Sequence, residues 1–241
     1  MADDISEQPG PSADASIDHA AAIKYWNGVT PTVNGMLGGY PHVSRIDLQG
    51  SKTFLAKLRL KSSTHPKTMP LSRVVDCGAG IGRITAGFLS KVADVVDIVE
   101  PVKKFTDVIT EGDDFRGLRE EGRIGKVYNQ GLEDWEPVNA YDLIWNQWCL
   151  GQLTDAQLVR YLLRSKTTLT KGGWIVVKEN MSTDPAGNDI FDEEDNSVTR
   201  HDRSFMRLFN QARLQVVATE LQKGFPKVLY PVRIYALQPE S

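Results

Sequence analysis

A glycine-rich loop is the first feature of the sequence whose residue types could do chemistry. Gly78, Gly80 and Gly82 follow an apolar run that ends at Asp76, and a helix-forming segment begins directly after them. Because glycine has no side chain, such a loop lets the backbone approach a ligand at the carboxyl edge of a parallel sheet. A dinucleotide fingerprint would place its third glycine at position 83, which is Arg83 here. The spacing favours a different nucleoside-containing ligand, with a dehydrogenase as the less favoured alternative.

Two charged residues stand where they could hold the two ends of such a ligand. Glu100 ends the next strand-like run, about 20 residues beyond the glycines, and its carboxylate can accept hydrogen bonds from both hydroxyls of a ribose. Arg83 offers two parallel donors that match a carboxylate. The alternatives are a solvated strand end for Glu100 and an exposed helix position for Arg83.

Carboxylates and one tryptophan form a second candidate group. Trp148 follows a strand-like run, and its ring can pack flat against a proline ring, although a core position is the alternative. A run of acids further along the chain would attract a cationic ligand to the same sheet edge, although such runs are usually solvated loops. The acids of this run are Asp189, Asp192, Glu193, Glu194 and Asp195.

Alternating strand-like and helix-like segments must position these residues, and the alternation is typical of a parallel sheet with crossover helices. The predicted strands are 73–76, 95–100, 126–129, 141–145 and 174–178, and the predicted helices are 83–92, 102–110, 155–169 and 202–212. Two final runs, 214–221 and 228–237, are expected to form an antiparallel hairpin at one sheet edge. The predicted fold class is therefore α/β with a mostly parallel sheet.

Composition divides the chain into four regions. Residues 1–18 are acidic, contain no Lys or Arg, and are predicted to be a disordered tail. Residues 19–60 are predicted to form a helical extension around a glycine turn, residues 61–70 a linker, and residues 71–241 the main domain.

Charge and composition exclude several function classes. The 241 residues carry a formal net charge of -3, which argues against a surface that binds nucleic acid. No apolar run approaches the roughly 20 residues that cross a bilayer, and no secretory signal is evident, so we expect neither a membrane protein nor a secreted one. Cys77 and Cys149 lack metal-ligand spacing, so no metal site and no disulfide framework is expected. The four histidines, His19 among them, are expected to be structural or solvent-exposed.

Five segments together resemble one protein family. They are 26–40 with its Met36-Leu-Gly-Gly39 piece, the loop 76–84, and the segments 144–148, 178–180 and 195–198. The family is the eukaryotic protein α-N-terminal methyltransferases, and the resemblance covers about residues 20 to 237. It implies a Rossmann-like class I methyltransferase sheet, an N-terminal helical extension and S-adenosylmethionine (AdoMet) as cofactor. Members methylate the free α-amine of proteins that begin Xaa-Pro-Lys or Xaa-Pro-Arg once the initiator methionine is removed, ribosomal proteins among them.

The resemblance assigns a role to each residue that matches a family motif. The residues implied to hold the cofactor are Gly78, Gly80, Arg83, Glu100, Leu132, Glu133, Gln147 and Trp26. Those implied to bind the peptide are Trp148, Asp192, Ser197, Tyr230 and Leu37, and those implied to act at the reacting amine are Asp195, Gln152 and Asn180. We further expect a monomer in the cytoplasm, with the nucleus as a second location, whose partners are the N-terminal tails of substrate proteins.

One position departs from the family pattern. The family usually has a histidine where this chain has Gln152, and glutamine cannot titrate. We expect activity to persist with weaker help in proton removal and a steeper fall below neutral pH. Two other functions stay open on sequence alone: a small-molecule amine methyltransferase, and a catalytically inactive binding protein on the same fold.

Overall fold

The apolar runs of the sequence form the centre of a seven-stranded sheet in the computed structural model, which describes residues 12–240. The strands of the chain are β1 (Leu71–Cys77), β2 (Ala93–Val99), β3 (Ile124–Tyr128), β4 (Tyr141–Gln147), β5 (Leu169–Asn180), β6 (Ile190–Asp192), β7 (Ser197–Thr199), β8 (Leu214–Leu221) and β9 (Val232–Pro239). The main sheet has the order β3-β2-β1-β4-β5-β9-β8. The first five strands are parallel, and β9 runs antiparallel to both neighbours. This arrangement confirms the predicted fold class, including the antiparallel hairpin at one edge.

Helices cover both faces of the main sheet. They are α1 (His19–Gly28), α2 (Val33–Met36), α3 (Ser44–Leu60), α4 (Arg83–Gly87), α5 (Lys103–Thr110), α6 (Arg116–Glu120), α7 (Asp155–Thr167) and α8 (Asp202–Gln211). On one face, α7 and α8 pack Leu158 and Phe205 into the core. On the other face, α3, α4 and α5 contribute Phe54, Ile84 and Ile109. The central strands are buried on both faces, which is why they read as continuous apolar runs.

The prediction of a disordered tail over residues 1–18 is wrong for residues 12–18. Ala13–Ser16 form a 3-10 turn that packs against the β6–β7 hairpin. Asp14 Oδ2 accepts a hydrogen bond at 2.8 Å from the backbone N–H of Asp155, one of the free donors at the start of α7. Asp18 caps α1 by accepting from the backbone of Ala20 and Ala21. One long-range and two local carboxylate-to-backbone hydrogen bonds therefore order a segment whose composition alone predicts disorder. Residues 1–11 lie outside the described residues.

Other elements differ from the prediction, mostly in their bounds, and the fifth strand, predicted over 174–178, spans Leu169–Asn180. The helix predicted over 83–92 ends at Gly87, where a Cβ would lie 2.7 Å from Leu48 of α3, and glycine commonly ends helices. A 3-10 turn, Leu89–Lys91, follows it. The acidic run, read as a loop, contains β6, and Asn196 at φ +57 makes the turn to β7. The last strand begins at Val232 instead of 228, directly after a proline that cannot donate to the ladder.

The carboxyl ends of β1, β2, β4 and β5 meet at one edge of the main sheet, and α1, α2 and the β6–β7 hairpin lie above this edge. The predicted site residues are concentrated there. Within residues 12–240, none of the helices combines the length and apolarity that a membrane crossing requires.

Candidate active site

The glycine loop after β1 adopts a conformation that only glycine tolerates easily. Gly78, Gly80 and Gly82 have φ angles of +65, +54 and +77. A Cβ at Gly78 would overlap the Cβ of Cys149, and a Cβ at Gly80 would lie 2.7 Å from the sulfur of Met36. The loop therefore brings bare backbone against a pocket that side chains at these positions would fill.

Glu100 follows β2 and points its carboxylate at this loop. Its Oε2 accepts a hydrogen bond from the backbone N–H of Gly80 at 2.8 Å, and its Oε1 accepts one from Val102 at 2.8 Å. Burial raises the pKa of Glu100 to about 7, and the two backbone donors partly oppose this rise. Each carboxylate oxygen keeps a second lone pair, so the group can still accept hydrogen bonds from two hydroxyls of a ligand.

One pocket brings together all eight residues predicted to hold the cofactor. Trp26 of α1 forms one wall, and the glycine loop forms another. Leu132 and Glu133 lie in the loop after β3, beside the apolar ring of Phe105. The eight predicted residues are Trp26, Gly78, Gly80, Arg83, Glu100, Leu132, Glu133 and Gln147. Their common position agrees with the predicted roles at the two ends of a nucleoside ligand.

Arg83 is held by a carboxylate that the sequence analysis missed. Its Nη1 lies 2.6 Å from Oδ2 of Asp47, a completely buried residue of α3. Gln147 Nε2 donates to both oxygens of Asp47 at 2.8 and 2.9 Å, and Lys178 of β5 also binds this carboxylate. The sequence offers a signal for one member, because Lys178 directly follows the apolar run 174–177, where a buried charge is expected only when paired, whereas Asp47 stands in a mixed polar and apolar helix.

His19 is a second residue that the sequence analysis did not place in the site. It begins α1 and lines the cofactor pocket. Its ring hydrogen-bonds the side chain of Gln157 and lies 4.0 Å from the Glu133 carboxylate. This hydrogen bond and the partial exposure of the ring agree with the expectation of a structural or exposed histidine, and the structure adds that the residue lines the pocket.

A groove adjoins the cofactor pocket and contains most of the remaining predicted residues. Trp26, Met36, Trp148 and Gln152 line both cavities, so the two meet at these side chains. The predicted residues in the groove are Leu37, Trp148, Gln152, Asn180, Asp195, Ser197 and Tyr230. Asp192 is not among its lining residues. It is exposed and lies opposite Ser197 in the β6–β7 hairpin.

Trp148 is half-buried and lies between the two cavities, not in the core. Its backbone has φ +55, an unusual value for a large residue, directly after the last residue of β4. Its ring lies 5.6 Å from the Arg83 guanidinium and 6.4 Å from the ring of Phe225. The indole N–H is buried without a hydrogen-bond partner within residues 12–240. The loop therefore directs one flat aromatic face and one free donor toward the junction.

Asp195 and Gln152 face each other at the end of the groove. Burial raises the pKa of Asp195, and the charges of Asp192 and Glu194 raise it further, while hydrogen bonds from Ser197 lower it. Gln152 Nε2 donates to the backbone carbonyl of Asp195 at 3.4 Å. Gln152 Oε1 is buried and has no hydrogen-bond partner among the described residues. Gln152 and Asp195 therefore bring an unpaired acceptor oxygen and a carboxylate close together in the lining of the groove.

The residues fit AdoMet by chemistry as well as by position. The bare glycine backbone and the buried Glu100 carboxylate match the nucleoside part of AdoMet. The Arg83 guanidinium matches the carboxylate of its amino acid part. Leu132 and Phe105 provide apolar surface for a base. Among residues 12–240, no group of three or more His, Cys, Asp or Glu side chains is arranged to hold a metal ion.

Comparison with known proteins identifies the family. A model of the family described as AdoMet dependent proline di-methyltransferase matches residues 14–238. Alpha N-terminal protein methyltransferase 1 of Schizosaccharomyces pombe is 44% identical over 92% of this chain and 97% of its own length. N-terminal Xaa-Pro-Lys N-methyltransferase 1-A of Xenopus laevis is 40% identical over 91% of this chain and 95% of its own.

A solved structure agrees with this match. The structure of a SAM-dependent methyltransferase from Leishmania major is 37% identical, has a TM-score of 0.77, and covers 91% of this chain and 82% of that one. The chain therefore belongs to the family of AdoMet-dependent proline di-methyltransferases, which confirms the family resemblance, the enzyme class and the cofactor predicted from the sequence.

Proposed function

We propose that this protein transfers a methyl group from AdoMet to the free α-amine of protein chains that begin Xaa-Pro-Lys or Xaa-Pro-Arg. The observation that carries the proposal is the junction of the cofactor pocket with an acid-lined groove at Trp26, Met36, Trp148 and Gln152. The names of the Xenopus laevis and Schizosaccharomyces pombe relatives support the same substrate class. Bound AdoMet supplies an electrophilic methyl group at this junction.

The charge state of the acceptor favours an α-amine over a lysine side chain. An α-amine has a pKa of about 7.7–8.0, so roughly a fifth to a third is neutral near pH 7.4, whereas a lysine amine near 10.4 is almost wholly charged. Methyl transfer is a one-step displacement that needs a neutral amine aligned with the breaking bond, and alignment can supply much of the acceleration. The main tasks of these residues are therefore to orient the amine and to accept its proton.

Asp195 is the proposed acceptor and orienting group. An ordinary aspartate with a pKa of about 3.9 lies some four units below the amine, so full proton transfer would cost about 5.5 kcal/mol. Burial raises the pKa of Asp195 and so narrows this gap. The Gln152 Oε1 is placed to accept the second N–H of the amine, which supports activity in the absence of the usual family histidine.

The groove can read the first three residues of a substrate. We assign the Trp148 face to the second-position proline ring, because a flat aromatic surface packs well on a pyrrolidine. Asn180 is proposed to donate to the first peptide carbonyl. Asp192 and Ser197 are proposed to receive the third-position lysine or arginine. The exposed position of Asp192 suits a long cationic side chain that leaves the groove toward solvent.

Two apolar side chains complete the proposed peptide groove. Leu37 and Tyr230 stand on different segments of its lining, one directly after α2 and the other in the loop before β9. Tyr230 is 39% exposed, so its ring remains accessible to a bound chain. We assign both residues to shaping the path of the peptide.

Mass spectrometry of synthetic peptides tests the substrate class. A peptide beginning Ser-Pro-Lys should gain methyl groups at its α-amine, and its N-acetylated form should gain none. Replacing Pro by Ala, or Lys by Gln, should each lower kcat/KM by about tenfold or more, the scale expected when a buried ring contact or an ion pair is lost. Efficient methylation of a free polyamine with indifference to both positions would instead support a small-molecule methyltransferase.

The cellular part of the proposal rests on the family resemblance alone. We propose that ribosomal proteins are among the substrates and that the protein acts as a monomer in the cytoplasm, with the nucleus as a second location. A deletion strain tests the first statement, because its ribosomal proteins should lose α-amine methylation. Fractionation of cells that express tagged protein tests the location, and light scattering of the purified protein tests the monomeric state. Unchanged ribosomal N-termini in the deletion strain would contradict the first.

A further inference from the structure

A buried ion cluster lies beneath the cofactor pocket and connects α3, α4, β4 and β5. Asp47 of α3 and Lys178 of β5 are both completely buried. Lys178 Nζ donates to the side chain and the backbone carbonyl of Asp47, and it also donates at 3.0 Å to Ser51 Oγ and Gln222 Oε1. Burying a lysine away from water costs free energy, which points to a functional role for Lys178.

In this cluster two positively charged side chains, Arg83 and Lys178, contact one negatively charged side chain, Asp47. Within residues 12–240, Asp47 is the one carboxylate within ion-pair distance of either Lys178 or Arg83. The buried carboxylate of Asp76 lies within electrostatic reach of Arg83, but it accepts a hydrogen bond from Thr85 at 2.6 Å and from neither cation. Two cations therefore share one carboxylate directly beneath the pocket.

The geometry of Arg83 leaves donors free on the pocket side. Its hydrogen bonds to described residues all use Nη1, which contacts Asp47 at 2.6 Å and Ser44 at 3.4 Å. Nε and Nη2 donate to no protein acceptor in residues 12–240, and the side chain lines the cofactor pocket. A guanidinium held at one nitrogen presents its opposite edge for a two-point contact with a carboxylate.

We propose that Lys178 and Asp47 are positioning residues for the amino acid end of AdoMet: Asp47 fixes Arg83 and Gln147, and Lys178 balances Asp47 so that the charge of Arg83 remains available to the ligand carboxylate. Burial lowers the pKa of Lys178 and the Asp47 carboxylate opposes this effect, so the lysine depends on Asp47 as Arg83 does. This proposal rests on the assignment of the pocket to AdoMet. Lys178 and Asp47 act through Arg83 and Gln147 and contact neither the transferred methyl group nor the substrate amine.

Two ligands separate this role from a purely structural one. S-adenosylhomocysteine carries the amino acid carboxylate, and 5′-methylthioadenosine lacks it. In calorimetry on the full chain, Lys178→Met should weaken the binding of S-adenosylhomocysteine by about tenfold or more, because the Asp47 carboxylate, without its lysine, would then offset the charge of Arg83. Binding of 5′-methylthioadenosine should change by less than about twofold.

A second variant and a matched control complete the experiment. Asp47→Asn should also weaken the binding of S-adenosylhomocysteine and leave that of 5′-methylthioadenosine nearly unchanged. The reason is that its amide N–H₂ would face a donor of Arg83, Gln147 or Lys178. Lys57→Met removes the same charge from an exposed ion pair on α3 and should leave both ligands unaffected.

Three results would overturn the proposal. An equal loss for both ligands in the folded variants would indicate a structural role, and no loss for either would remove the role altogether. Wild-type protein that binds neither ligand would contradict the cofactor assignment itself and this proposal with it.

Discussion

Gln152 contacts Asp195 through its amide donor, 3.4 Å from the Asp195 backbone carbonyl, and keeps its own carbonyl oxygen buried and without a partner in the described chain. A buried acceptor left unpaired costs free energy unless a ligand satisfies it. The natural donor at this junction of pocket and groove is the N–H of a substrate amine. We therefore propose that Gln152 orients the amine as an acceptor, and its amide cannot take the proton.

We expect Gln152→Leu to lower kcat/KM on a Ser-Pro-Lys peptide by about tenfold, the loss of one hydrogen bond. Binding of S-adenosylhomocysteine should be nearly unchanged. Gln152→His should raise kcat above about pH 6.5, where a neutral imidazole can accept the proton, and should make the acid limb of the pH–rate profile shallower. If the histidine variant leaves both the rate and the acid limb unchanged, this position does not take part in proton removal.

Asp195→Asn should lower kcat by about 10²- to 10⁴-fold, because the amine loses its carboxylate partner. Calorimetry should show unchanged binding of S-adenosylhomocysteine. Asp192→Asn is the matched control on the same hairpin: it should raise KM for a Ser-Pro-Lys peptide with little effect on kcat. Full turnover by Asp195→Asn would require another proton acceptor.

The buried carboxylate of Glu100 predicts a pH dependence of cofactor binding. Its pKa is raised from 4.5 to about 7 in the folded chain, so the folded state binds the proton more tightly than the unfolded state. This group therefore makes the free energy of unfolding of the ligand-free protein fall as pH rises from about 4.5 to about 7. Ribose hydroxyls favour the ionised form, so ligand binding must release the proton below pH 7.

Calorimetry across this range provides the measurement. The affinity for 5′-methylthioadenosine should weaken by up to about tenfold per pH unit below pH 7. Glu100→Gln should bind more weakly at neutral pH and lose most of this dependence. Glu179→Gln is the control, because burial raises the pKa of Glu179 to about 7 as well, but Glu179 lines the groove and not the cofactor pocket. Its carboxylate accepts hydrogen bonds from the backbone N–H groups of Cys149 and Leu150. If the pH dependence of 5′-methylthioadenosine affinity persists in Glu100→Gln and vanishes in Glu179→Gln, the titrating group is Glu179 and not Glu100.

Gly78 and Gly122 separate backbone strain from steric overlap. Both have a positive φ, +65 and +67, but a Cβ at Gly122 meets nothing within 4 Å, whereas a Cβ at Gly78 would overlap Cys149. Gly122→Ala should cost about 1 kcal/mol of unfolding free energy and leave cofactor binding intact. Gly78→Ala should cost more and abolish detectable binding of S-adenosylhomocysteine. If thermal unfolding and calorimetry give the same stability loss and the same S-adenosylhomocysteine affinity for both variants, the close contact between Gly78 and Cys149 would be contradicted.

The sequence predicts the sheet and the cofactor loop well because both depend on local patterns. Apolar runs become the parallel strands, and the glycines with Glu100 adopt the expected positions at the carboxyl edge. Long-range partners are less predictable. Asp47 reaches Arg83 and Lys178 only after α3 packs across the sheet, and no spacing in the chain encodes that contact.

The N-terminal segment shows a second limit. Composition predicts disorder for residues 12–18, yet Asp14 finds a free backbone donor at the start of α7, more than a hundred residues away in the chain. Asp192 is a third case, because the family motif assigns its role, whereas the structure leaves its side chain exposed, outside the groove lining and opposite Ser197 in the hairpin. The first two failures arise where tertiary contacts override a local preference.

The most direct test of the central claim is intact-mass and fragment analysis of a Ser-Pro-Lys peptide incubated with the protein and AdoMet. We predict methyl groups located on the α-amine, with none on the lysine side chain and none on the acetylated peptide. Methylation confined to the lysine, or a peptide that stays unmodified while the protein binds AdoMet, would contradict the account.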